Sequence, residues 1–140
     1  MSRVLAVDYG KKRVGFAISD SMCMIANPLE TVLVQDVWKF IDQQIAKHEI
    51  STIVVGYATH KDGQESESMQ YIHPFVKGLK RKYPNLEIAF EDERYTSVIA
   101  SQSLIESGTS KKTRQNKALI DTVSATLILQ SYLERISSGT

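Results

Sequence analysis

The chain has 140 residues, 42% of them apolar and 24% charged, which suits one globular domain with its own core and excludes a disordered or fibrous class. The formal net charge of +1 makes overall charge uninformative about nucleic acid, so any such affinity must come from local clusters. The single cysteine, Cys23, excludes an internal disulfide and reads as a plain buried thiol, and His48, His60 and His73 have no zinc spacing. Met1-Ser2-Arg3 leads into an apolar run that ends at Asp8, too short for a secretory core or a membrane span. A soluble, cytoplasmic protein is expected.

Arg3 to Val7 (RVLAV) reads as a strand, Asp8-Tyr9-Gly10-Lys11-Lys12 as a polar turn, and Val14 to Ser19 (VGFAIS) as the strand that completes a hairpin. Pro28 to Val34 (PLETVLV) is rich in β-branched residues and predicts a third strand. Val37, Phe40, Ile41 and Ile45 recur at helical spacing, predicting a helix near 36–48, and Thr52 to Val55 (TIVV) before Gly56 predicts a buried strand. A loop around Lys61-Asp62-Gly63 precedes a helix over about 65–82, with Met69, Ile72, Val76 and Leu79 on one face and Pro84 ending it. His73-Pro74 marks either a kink in that helix or its start. Leu86 to Phe90 (LEIAF) is a fifth strand followed by Glu91-Asp92-Glu93-Arg94, and helices follow over about 96–107, capped by Gly108, and 113–136. Residues 137–140 read as a disordered tail, leaving one domain over 1–136. The order β-β-β-α-β-α-β-α-α predicts an α/β fold. Its five-stranded mixed sheet has three antiparallel strands, then two parallel ones joined through helices that flank the sheet.

Three carboxylates stand in unusual places. Asp8 and Glu93 each follow a strand of the kind that is buried on both faces. Asp121 lies within a helix whose apolar residues Ala118, Ala125, Ile128 and Tyr132 share its face. A charge there needs a partner or a metal. Singly, each has a plainer reading: a turn former, a helix cap, or for Asp121 a partner of Lys117. Converging at one sheet edge, they would repel one another without a cation. Oxygen-only ligands favour magnesium or manganese.

Three segments carry a family resemblance: Asp8-Tyr9-Gly10-Lys11-Lys12-Arg13-Val14-Gly15, Asp92-Glu93-Arg94-Tyr95-Thr96-Ser97 and Asp121-Thr122-Val123-Ser124-Ala125. They resemble, in order and at family length, the motifs of the YqgF family, whose members are described as pre-ribosomal-RNA nucleases and as Holliday-junction resolvases. Val54-Val55-Gly56 with Asp62-Gly63 resembles a more variable family feature. Here the chain departs from the common Gly-x-Pro pattern, reading Gly56-Tyr57-Ala58-Thr59-His60. The resemblance implies a ribonuclease-H-like fold and an acidic triad on Asp8, Glu93 and Asp121. These residues would act as catalytic residues and as ligands of Mg²⁺ or Mn²⁺. Asp92 and Asp20 are candidates for a fourth acidic ligand.

The chemistry this implies is two-metal phosphodiester hydrolysis, with ions about 3.5–4 Å apart and Asp8 bridging them. Lys11, Lys12 and Arg13 near Asp8, and Lys111, Lys112, Arg114 and Lys117 before Asp121, are the candidate contacts to a nucleic-acid backbone. Arg94 either contacts phosphate or pairs with a neighbouring carboxylate. Few aromatics accompany these cations, so no base-stacking platform is evident. The expected partner is nucleic acid: an RNA precursor, with processing of the 5′ end of pre-16S ribosomal RNA favoured, or four-way DNA. No membrane partner is expected, and the chain should be a monomer or weak homodimer. Two rivals remain. Actin-like and sugar-kinase ATPases share an Asp-x-Gly turn but need a second domain and a second phosphate loop. A ribonuclease-H-like domain without catalysis, serving as an assembly module, is the other.

Overall fold

The computed structural model describes residues 2–57, 69–92 and 117–137, and the described side chains of the last segment are those of 122–136. Along the chain run β1 (Arg3–Tyr9), β2 (Arg13–Ser19), β3 (Ala26–Leu33), a 3₁₀ turn (Val34–Asp36), α1 (Val37–Lys47), β4 (Ile50–Tyr57), α2 (Met69–Lys82), β5 (Glu87–Asp92) and α3 (Lys117–Ser137). The strands form one sheet in the order β3-β2-β1-β4-β5. β1–β2 and β2–β3 are antiparallel, whereas β4 is parallel to both β1 and β5. This is the expected mixed sheet. The helix expected over 96–107 lies outside the described residues.

Period-two alternation sorts each strand between two cores. Leu5 and Val7, Val14, Phe16 and Ile18, and Ile53 and Val55 face α1 and α2, where they meet Phe40, Ile41, Ile72 and Leu79. Val4, Ala6, Ala17 and Val54 face α3, where they meet Ala125, Ile128, Leu129 and Leu133. Both faces of the central strands are therefore covered, which is why TIVV carries no polar alternation. Small residues, Ala6, Ala17, Ser124 and Ala125, line the α3 side and let that helix lie close to the sheet. Aromatic contacts tie the other layer together: Phe16 packs on Phe40 at 4.6 Å and Tyr9 stacks on Phe75 at 4.3 Å. The Tyr83 phenol donates to Asp42. Burial, then this bond, pushes the phenol well above its ordinary range.

Three local expectations change. Sequence pattern ends β1 at Val7, but the ladder continues through Asp8↔Gly15 and Tyr9↔Val14, so Asp8 is a strand residue. Pro74 lies inside α2 and does not start it. Its ring removes one hydrogen bond to Gln70, and both residues are exposed, so water can serve the freed carbonyl. Cys23 is half-buried in the β2–β3 turn, at a left-handed φ of 55°, rather than a core thiol. Its Sγ lies 3.4 Å from the Ser2 carbonyl oxygen. Among the described residues no helix is long and apolar enough to cross a membrane.

Candidate active site

Asp8 takes its orientation from the strand that carries it. Val4 and Ala6 face α3, so the same alternation turns Asp8 to that side. It is half-buried and has glycine on both sides. Gly15 is its cross-strand partner in β2, and Gly56 lies one residue past the Val7↔Val55 pair in β4. Neither neighbour carries a side chain that could cover the carboxylate.

The β1–β2 turn brings cations to the same end of the sheet. Gly10 N–H donates to the Arg13 carbonyl at 2.9 Å. A Cβ on Gly10 would lie 2.6 Å from that oxygen, so the turn requires glycine. Lys11 and Lys12 are exposed at its tip, and Arg13 is half-buried at the start of β2. The Lys12 carbonyl accepts Val34 N–H at 3.0 Å, which fixes the tip against the end of β3. At most about 10 Å of extended chain separates Lys11 from Asp8.

α3 crosses this face diagonally. Near its start the Thr122 hydroxyl hydrogen-bonds Thr31 of β3. Near its end Ser131 donates to Glu91 of β5 at 2.7 Å, and Arg135 donates to the same carboxylate at 2.9 and 2.7 Å. The backbone of residue 121 lies in the first turns of α3, one turn before buried Ala125. Lys117 opens the helix. Glu93, Arg94, Lys111, Lys112 and Arg114 lie outside the described residues. Among the described residues no three acidic, histidine or cysteine side chains cluster in a way that could hold a metal ion.

The acidic run after β5 divides by strand geometry. Glu91 is nearly buried and is engaged by Ser131 and Arg135, while Asp92 is exposed. Sequence reasoning missed this ion pair, because nothing local links residues 44 apart. Asp20, one candidate for a fourth ligand, instead caps its own turn: its carboxylate accepts Met24 N–H at 2.8 Å and Ile25 N–H at 3.0 Å. The bond from Ile25, then that from Met24, holds its carboxyl below the usual range. The Glu91 pair should matter for stability. Arg135→Met is expected to cost about 1–3 kcal/mol, less than a fully buried pair because the arginine is half exposed. Urea denaturation reads this directly, and a loss under about 0.5 kcal/mol would mean that water serves Glu91 equally well.

Comparison with known proteins agrees with this architecture. A relative from Bacteroides thetaiotaomicron is 47% identical over 134 residues, covering 96% of this chain and 97% of its own length. One from Phocaeicola vulgatus is 50% identical over 134 residues, covering 96% of each. Both bear the name "Putative pre-16S rRNA nuclease". The Thermus thermophilus RuvC chain, solved with a Holliday junction substrate, superposes with a TM-score of 0.54 at 9% identity, covering 98% of this chain and 96% of its own. That likeness shows a shared ribonuclease-H-like fold. A family model described as "RuvX: Holliday junction resolvase" matches residues 2–135. Since that match and those relatives span nearly its whole length, the chain belongs to the RuvX family, the family that its three motifs resemble.

Proposed function

We propose that this protein is a metal-dependent nuclease that hydrolyses phosphodiester bonds in the precursor of 16S ribosomal RNA, using Asp8, Glu93 and Asp121. The observation that carries this reading is the setting of Asp8, a half-buried carboxylate flanked by two glycine positions on the face crossed by the helix that bears Asp121. The names of the curated relatives support the substrate.

The donor chemistry fits a hard divalent cation, because all three groups offer only carboxylate oxygen. Magnesium or manganese, when bound, supplies an activated water and stabilisation of the leaving oxygen. The chain's own contribution is positional. Asp8 sits on a central strand, and strands and helices hold functional groups more accurately than loops do. Gly15 and Gly56 leave the carboxylate accessible to a substrate. Lys11 and Lys12 present cations at the rim, where they would contact phosphates on either side of the scissile bond without reading sequence. Lys111, Lys112, Arg114 and Lys117 would extend that track, and Arg94 would either join it or hold the acidic segment.

The test is cleavage of a 5′-extended pre-16S fragment by the purified protein, with a four-way DNA junction in parallel. Both substrates are incubated with Mg²⁺, with Mn²⁺ and with excess chelator. Cleavage near the mature 5′ end that needs either metal and stops in chelator is the expected result. Preference for the junction would favour the activity in the family's description. Undiminished cleavage in chelator would remove the metal-based reading. Depletion in the source cell, with mapping of 16S ends, should show unprocessed 5′ termini.

A further inference from the structure

We propose that Thr31 and Thr122 act as a pair of positioning residues that sets where the Asp121 turn of α3 sits relative to Asp8. This rests on the carboxylate reading above. The argument starts from the register of the sheet. Asp8 pairs with Gly15, and Gly15 pairs with Thr31, so the three occupy one cross-strand row on the α3 face. The row exists because of an irregularity. Between Gly15 and Ala17 the β2–β3 register shifts by one residue. Carried on unshifted from Ala17↔Pro28, the ladder would bring Glu30 opposite Gly15, whereas the bulge brings Thr31 there. On the other side of Asp8 the row continues through Gly56 to Glu91, whose charge is met by Arg135. Thr31 places a neutral hydroxyl opposite Gly15, and Glu30 is left exposed beside Asp36 of the 3₁₀ turn and Lys39 of α1.

Across the row, the Thr31 hydroxyl bonds the hydroxyl of Thr122, 91 residues later and adjacent in the chain to Asp121. Thr126 Oγ1 donates to the Thr122 carbonyl at 2.9 Å, which ties that turn of α3 to the next. The apolar stripe that docks α3 runs through Ala125, Ile128, Leu129, Tyr132 and Leu133. One turn earlier, the hydroxyl pair links α3 to β3, while Gln130, Ser131 and Arg135 hold its far end to the sheet. Apolar contacts are non-directional and tolerate sliding, whereas a hydroxyl–hydroxyl bond between two β-branched side chains with stiff χ1 fixes both distance and direction. Ligands drawn from a strand and a helix need that accuracy, since a site about 1 Å too loose loses function.

The experiment compares Thr31→Val, Thr122→Val, the double variant, Thr122→Ser and Asp8→Asn. Mn²⁺ affinity without nucleic acid, kcat and KM for cleavage, and Tm are measured for each. Each valine variant is expected to bind Mn²⁺ about 10-fold more weakly and to lose about 10-fold in kcat, within the roughly 100-fold that a 1 Å misplacement can cost. KM should change less than about 2-fold, the double variant should be no worse than either single one, and Thr122→Ser should recover most of both losses. Valine variants that lose only Tm, with Mn²⁺ affinity and kcat as in the parent while Asp8→Asn abolishes binding, would overturn the positioning role and leave the carboxylate reading standing. Additive losses in the double variant would also overturn the pair. Unchanged Mn²⁺ binding in Asp8→Asn would overturn the carboxylate reading itself, and the positioning role with it.

Discussion

Replacing Asp8 with asparagine is expected to lower cleavage by at least about 1000-fold while the protein still folds. The substitution keeps the size and planarity of the side chain and removes the charge that the proposed metal site needs. Asp8 lies in the β1–β2 ladder with Gly15 opposite, and the backbone pairing there does not depend on its side chain. Tm in metal-free buffer should stay within a few degrees of the parent. The comparison that matters is single-turnover cleavage against Tm for the same preparation. Activity within tenfold of the parent would place the chemistry elsewhere. A collapse in Tm of more than about 10 °C would mean that the carboxylate serves the fold.

The second large effect lies in the opposite layer. Phe16 is fully buried, packs on Phe40 at 4.6 Å and belongs to the core beneath α1 and α2. Phe16→Ala should cost about 3–5 kcal/mol, a large share of the roughly 5–15 kcal/mol that holds a domain together. For a chain of this size, that corresponds to a fall of about 10–20 °C in Tm. Leu33→Ala provides the contrast, since Leu33 is 50% exposed at the end of edge strand β3. Its loss should stay near 0.5 kcal/mol. Equal losses for the two would mean that the layer beneath α1 is not packed as described.

Strand and helix identities were legible because apolar period carries them: RVLAV, VGFAIS and TIVV are short continuous runs, and Val37, Phe40 and Ile41 recur at helical spacing. The pattern failed at Asp8 and Tyr9, where polar character suggests a turn and pairing with β2 instead continues the strand. Pairing is set by a partner elsewhere in the chain, so no local signal reports it. The same holds for the bulge that selects Thr31 over Glu30, and for Arg135 choosing Glu91 from an acidic run of three. The candidate carboxylates stand out in the sequence for a different reason: a charge placed at the edge of an apolar element conflicts with local rules, and such conflicts gather at functional sites, but of the three side chains only that of Asp8 is among the described residues. The neutral hydroxyls of Thr31 and Thr122 break no local rule, and sequence reading passed over them.

The order of the elements also bears on how the protein is made. β1, β2 and β3 leave the ribosome first, and α3, the helix that covers one of their faces, follows about 80 residues later. At about 5–20 residues per second, that face waits roughly 4–17 s for its cover. During this interval Val4, Ala6 and Ala17 present an apolar, strand-rich surface to the cell, the kind of surface that chaperones hold and that aggregates when they do not. Yield on overexpression should therefore depend more on the supply of nascent-chain chaperones than the stability of the finished fold would suggest.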